Sequence, residues 1–231
     1  MSTFAYRATR VHADLQVEIG FTDARFDLAD AHPRLHQQVA LLAAACAATP
    51  ALMTQVHGDD VAVVSHSTGP PVADALITHE PAVALVVRVA DCVPVILADP
   101  AAQLVGAAHA GRRGLAAGIV PRAIERLRTL GAEDIEAWVG PHICGACYEV
   151  PESMRDEVAE SAPEAWAESR WGTPALDIGA GVTAQLARAR VRMVSVGGCT
   201  FEDPRWPSFR RDGAISGRMA GVVWISSGVD R

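Results

Sequence analysis

The 231-residue sequence predicts a single domain, residues 1–231, of the α/β (α+β) class, and three observations carry that reading. Short β-branched apolar runs recur along the chain, which is how buried strands look in sequence. Segments with apolar residues at helical spacing alternate with them. No internal repeat, low-complexity tract or linker-like stretch divides the chain, and its length suits one large domain or two small ones.

Residues 4–21 carry two strand-like runs ending in VEIGF, and the polar, irregular FTDARFDLADAHP follows. Past Pro33, residues Leu35, Val39, Leu42 and Cys46 recur at helical spacing with alanines between them, until Thr49-Pro50 stops the helix. ALMTQVHGDDVAVVSH reads as a strand, a turn at His57-Gly58-Asp59-Asp60 and a second strand. STGPP is a loop, and residues 73–78 form another short extended piece. Three apolar runs fill the stretch from Val83 to Gly114, VALVVRVADCVPVILADPAAQLVGAAHAGRRG. GLAAGIVPRAIERLRTLGA reads as a helix with Pro121 inside it or at a break, closed by Gly131. IEAWVGP is a strand ending in a turn, and residues 151–170 hold one or two helices. ALDI reads as a strand or loop before a helix in GAGVTAQLARARV, and VRMVSVGG and GVVWISS are the last strands. The connection between those two, CTFEDPRWPSFRRDGAISGR, is longer than a connector needs.

Composition excludes several chemistries. The net charge is −7, which argues against a nucleic-acid surface. All 20 basic residues are arginine, so a Schiff-base lysine and a lysine-bearing phosphate loop are both ruled out. Phosphate or carboxylate must then be held by arginine, backbone N–H groups or a metal. No apolar stretch has the uninterrupted length of a membrane span, and the opening MSTFAYRATR has no apolar leader core. Five cysteines without framework spacing lead us to expect a reduced, cytoplasmic protein.

The residues that interrupt the apolar runs are the chemical candidates. A buried strand gains nothing from ending in Asp91-Cys92, or from carrying His109 into Gly-Arg-Arg-Gly. Two imidazoles and a thiolate, His57, His109 and Cys92, form a three-ligand set for Zn²⁺ with a fourth position open. The same residues also suit two ordinary histidines and a core cysteine, and their wide spacing matches no compact finger. Asp91 is a candidate proton carrier, partner for an arginine, or orienting group for a ligand histidine; Asp74, at a strand edge, suits the same parts or equally a turn. Arg113, Arg210 and Arg211, with Arg112, lie in glycine-rich or loop contexts where guanidinium forks meet phosphate. Cys144 and Cys147 form a lone C-x-x-C pair. A structural zinc site would want a second pair, which the sequence does not show, so we expect a structural role for these cysteines.

TQVHGDDV, ADALIT, ADCVPVILADP, VGAAHAGRRG, VGPHICGACYEV and CTFEDPRWPSFRRDGAISGR occur in that order from about Leu52 to Arg218. Together they resemble the YfiH-type laccase-domain family of purine nucleoside phosphorylases, whose older label is polyphenol oxidase. The resemblance implies a layered α/β/β/α sandwich and a zinc site at His57, Cys92 and His109. It implies phosphorolysis of adenosine, inosine, guanosine and methylthioadenosine, and deamination of adenosine. The partners are then a small nucleoside and phosphate, acting on a monomer or small homo-oligomer. More distantly it resembles cysteine deamidase toxins, in which Cys92 and His109 would serve as nucleophile and base. This sequence departs from the family at Arg112, where a tryptophan is usual, and at Asp23, where an arginine is expected. Copper is the rival cofactor, but a multicopper centre needs many paired histidines, and this chain has eight histidines and no H-x-H pair. A non-catalytic nucleoside- or metal-binding regulator is the other alternative.

Overall fold

The computed structural model describes residues 3–227. In chain order, β1 (Tyr6–His12) and β2 (Leu15–Phe21) lead to α1 (Leu35–Cys46), β3 (Thr49–Ala51), β4 (Val61–Val63) and β5 (Ala75–Thr78). The central stretch gives β6 (Val83–Val89), β7 (Val93–Asp99) and β8 (Leu104–Ala110), then α2 (Arg112–Ala117) and α3 (Ile119–Thr129). After β9 (Glu136–Val139) come α4 (Glu152–Ser161), β10 (Trp166–Glu168), β11 (Pro174–Leu176), α5 (Ile178–Arg188) and β12 (Arg192–Ser195). A short α6 (Phe209–Asp212) lies inside the long connection before β13 (Met219–Ser227).

Two main sheets stack face to face. One has the order β1-β2-β13-β6-β3 and the other β12-β9-β7-β8-β5-β4. Both are mixed: β6 runs antiparallel to β13 and parallel to β3, and β9 antiparallel to β7 and parallel to β12. Because side chains alternate across a strand, each central strand feeds two cores. Leu85 and Val87 of β6 point inward to meet Ile96 of β7, Phe21 and Trp138 between the sheets. Ala84 and Val86 point outward, against Leu42 and Cys46 of α1. Likewise Val93, Val95 and Leu97 of β7 face Leu115, Ile124, Leu127 and Leu186 of α2, α3 and α5. The result is the helix–sheet–sheet–helix layering, with strands buried on both faces. Each fully buried large aliphatic or aromatic side chain contributes about 1.5–3 kcal/mol of transfer free energy.

Three local readings change. The helix following β8 is two helices: Gly118, at φ 84°, ends α2 and begins α3. Pro121 falls in the first turn of α3, where its missing N–H breaks no hydrogen bond. α1 already ends at Cys46, where Ala47 takes φ 49°, and Thr49-Pro50, expected to stop the helix, opens the edge strand β3, an edge being where a sheet tolerates proline. The segment before His57 is irregular, touching the fold as a strand only through the Thr54–Val72 bridge.

The chain passes from one main sheet to the other three times at the same end. It does so between β3 and β4, between β6 and β7, and along the long connection between β12 and β13. His57 lies on the first crossing, Asp91 and Cys92 on the second.

Candidate metal centre and substrate cleft

Asp74 organises the site. It immediately precedes β5 and is fully buried. Its Oδ1 accepts the N–H of His57 at 3.0 Å, and its Oδ2 those of Val56 at 3.1 Å and Gly58 at 2.7 Å. Three successive N–H groups on one carboxylate turn the backbone sharply, and His57 takes φ 59°, in the left-handed region. The antiparallel β5–β8 register pairs Ala75 with Ala108, so the next residue, His109, comes opposite Asp74. His109 Nδ1 lies 2.8 Å from Asp74 Oδ1. With Nδ1–H hydrogen-bonded to the carboxylate, Nε2 is the nitrogen left facing the site. One buried acid thus fixes the ring of one histidine and the backbone of the other.

The rings of His57 and His109 meet edge-on with centroids 4.7 Å apart. Cys92 Sγ sits 3.8 Å from His57 Nε2. One donor atom from each of His57, Cys92 and His109 lies within 4.8 Å of the other two. Gly111 permits this approach: a Cβ there would come within 2.6 Å of His57 Cδ2 and 3.1 Å of Cys92 Sγ. Burial opposes the Cys92 thiolate, but the imidazoles of His109 and His57 outweigh it and bring the thiol down to about 6. Burial likewise opposes the His109 imidazolium, while Cys92 and Asp74 favour it and raise His109 to about 9. Burial would raise the Asp74 carboxyl, yet His109 and the N–H groups of Gly58 and Val56 hold it below the usual range.

The three donors lie on a cleft of about 890 Å³, a size that accommodates a small organic ligand. Arg88, Arg112, Arg210 and Arg218 line it, together with Tyr148. Arg210 lies over the Tyr148 ring at 5.0 Å and donates to the Glu149 carbonyl at 2.8 Å. Burial pushes the Tyr148 phenol up, so it keeps its proton.

The sequence candidates distribute unevenly around this cleft. His57, Cys92 and His109 converge. Asp91, at φ 83°, also lines the cleft, but its carboxylate is engaged by the Thr200 hydroxyl and the Arg210 N–H, each at 2.6 Å. It ties the long connection before β13 to the β6–β7 crossing, and the histidine-orienting part belongs to Asp74. Of the three arginines assigned to phosphate, Arg210 lines the cleft. Arg113 is exposed outside the cleft lining, and its neighbour Arg112 stands there instead. Arg211 is turned away onto the carbonyls of Thr200 and Trp206 and onto Asp212. Asp23 closes on Arg25 and is not part of the lining. Sequence reasoning missed Tyr148 and Gly111. For Gly111, the visible signal was a glycine directly after a ligand-bearing strand.

The comparisons agree with this architecture. Proteins named purine nucleoside phosphorylase include one from Streptomyces coelicolor, 52% identical over 179 residues and covering 75% of this chain and 74% of that protein. Another, from Mycobacterium tuberculosis, is 44% identical over 178 residues, covering 75% and 71%. YlmD from Geobacillus stearothermophilus superposes with a TM-score of 0.82 at 25% identity, over 98% of this chain and 100% of that one. A Neisseria meningitidis protein, NMB0706, gives 0.80 at 27% identity, over 96% and 99%. Residues 8–226 match the family described as multi-copper polyphenol oxidoreductase laccase. With the double-sheet fold and these relatives, the chain belongs to that family, in its YfiH-type branch.

Proposed function

We propose that this chain is a zinc-dependent purine nucleoside enzyme. Its reactions are phosphorolysis of adenosine, inosine, guanosine and methylthioadenosine to base and (methylthio)ribose 1-phosphate, and deamination of adenosine to inosine. The observation that carries the reading is the convergence of His57, Cys92 and His109 on an arginine-lined cleft. The relatives named purine nucleoside phosphorylase supply the substrate class.

The donor set fits Zn²⁺. Two imidazoles and one thiol offer borderline-soft ligands, and the Asp74 bond to Nδ1 aims His109 Nε2 at the site, where a bound cation would displace its proton. A trinuclear copper cluster does not fit, because two histidines contribute here and none joins the other metal-capable group among the described residues. Bound here, zinc supplies Lewis acidity that activates water or polarises a substrate oxygen at neutral pH.

The chain's own residues do the rest. In this reading Arg112 and Arg210, which line the cleft, hold phosphate, the part the sequence reading gave to Arg113, Arg210 and Arg211. Tyr148 keeps its Oη proton and can donate it in a hydrogen bond to a substrate atom. Asp91 acts as a positioning residue that holds the Arg210 backbone at the cleft wall.

The test is hypoxanthine release from inosine with phosphate, alongside metal analysis of the same protein. Cys92→Ala is expected to bind less zinc and to lose at least about 100-fold in rate, since even outer partners of a metal ligand cost 10–100-fold. Full activity in a zinc-free Cys92→Ala protein would end the proposal. A second reading, a cysteine hydrolase, draws on the same geometry: Cys92 beside imidazole, with His109 oriented by Asp74. It requires activity that survives exhaustive chelation and disappears when Cys92 is alkylated.

A further inference from the structure

A second group of metal-capable donors stands apart from the cleft centre. Cys144, Cys147, Cys199 and Glu202 each offer one ligand atom, and these four atoms lie within 4.8 Å of one another. Cys147 is buried, Cys144 and Cys199 are half-buried, and Glu202 is exposed. All three cysteines are free thiols.

The backbone around them is built twice on one plan. The carbonyl of Cys144 accepts the N–H groups of Cys147, at 2.9 Å, and Tyr148, at 3.1 Å. The carbonyl of Cys199 accepts those of Glu202, at 3.2 Å, and Asp203, at 3.0 Å. C-x-x-C and C-x-x-E therefore form two matching tight turns, each presenting its first and fourth side chains to the other. The turns are docked: the His142 N–H donates to the Gly198 carbonyl, and the Thr200 N–H to that of His142. The Cys144 N–H donates to Cys199 Sγ at 3.4 Å, the kind of N–H···S contact that supports a ligating thiolate. Arg170 places its guanidinium 2.8 Å from Cys147 Sγ and against the Glu202 carboxylate. These ligand atoms thus already gather positive charge.

We propose that Cys144, Cys147, Cys199 and Glu202 form a second, structural zinc site. Four donors in two short loops with three thiolates is the arrangement of closed structural zinc. A disulfide explains this grouping less well, since it would use two of the three thiols and leave Glu202 without a part. The site would staple the segment after β9, which carries Tyr148, to the connection before β13, which carries Thr200 and Arg210. Those residues hold or line the wall of the cleft. The inference goes beyond the proposed activity and does not depend on it.

Zinc stoichiometry tests it, on the full-length protein purified and handled under argon with reductant. Wild-type protein loaded with Zn²⁺ alone is expected to bind about two equivalents, with Cys144, Cys147 and Cys199 all protected from iodoacetamide until a chelator is added. Cys92→Ala/His109→Ala should keep about one equivalent. Its Co²⁺-substituted form should keep the sulfur-to-cobalt charge-transfer band, which then can come only from this group. Cys144→Ser/Cys199→Ser should keep only the site at the cleft. A wild-type count of about one with these three thiols freely labelled overturns the proposal whether or not the variants fold. So does a Cys144–Cys147 disulfide in the protein kept under argon.

Discussion

Asp74 spends both carboxylate oxygens on the candidate metal centre and none on solvent. Asp74→Asn keeps the shape but replaces one acceptor oxygen by a donor, which cannot serve the N–H groups and His109 together. Metal affinity should fall by about 10–100-fold while the fold persists, as read by competition with a chromophoric chelator beside far-UV circular dichroism. Cys92 offers a pH-dependent test. With its thiol brought down to about 6 by His109 and His57 against burial, thiolate in the metal-free protein accumulates as pH rises through that value. Peptide mapping after iodoacetamide should show Cys92 labelling half-maximal at about pH 6. The ordinary thiol midpoint is about 8.5. Bound zinc should suppress the labelling across the range. The sequence singled out His57, Cys92 and His109 because polar side chains broke apolar runs. It left Asp74 open between turn former and orienting group, because its role rests on the β5–β8 register, which no local pattern encodes.

Among the elements, the β7–β8 turn is pinned from outside by one side chain. Buried Asp99 accepts the N–H groups of Ala101 and Ala102 in its own turn, and those of Glu133 and Asp134 at the entry to β9. Burial opposes its charge, but these four donors hold its carboxyl below the usual range. A carboxyl depressed in the folded state stabilises fully above its unfolded value of about 3.9, and that stabilisation is lost as pH falls through the folded value. Asp99→Asn should therefore cost about 1–3 kcal/mol at neutral pH. The gap from wild type should shrink below about pH 4, as urea melts at pH 7 and pH 3 would show. The elements that were legible were those with a clean period. The helix after Pro33 and the strands of the central stretch needed only their own residues. The break at Gly118 was harder to see, because Pro121 nearby looked the stronger breaker and the glycine's positive φ shows only in the backbone. Glu202 in the second donor group was invisible for another reason: C-x-x-E has no recognisable signature until a C-x-x-C turn stands against it.

At the scale of the whole molecule, the two sheets are held together by a core that is wedged as well as greasy. Phe21 reaches from β2 into a space left by glycines: a Cβ on Gly140 would come within 2.3 Å of its ring, and one on Gly221 within 3.0 Å. Phe21→Ala should cost about 3–5 kcal/mol. Gly140 and Gly221 have no side chains with which to refill the void, so we expect the upper part of that range in denaturant unfolding. The fold class followed from alternating strand and helix patterns, and the layering from the family resemblance. Which strands share a sheet did not follow. The two sheets exchange strands in an order, with β6 beside β13 and β7 beside β9, that depends on pairings across the full length of the chain.

The crossings gathered at one end have a mechanical consequence. His57 and Cys92 hang from two of the three bridges between the layers at that end, whereas His109 belongs to one layer alone. A cation gripped by all three behaves as a rivet through both plates. Sliding one sheet over the other would pull the ligands apart, so occupancy of the centre and alignment of the layers rise and fall as one equilibrium.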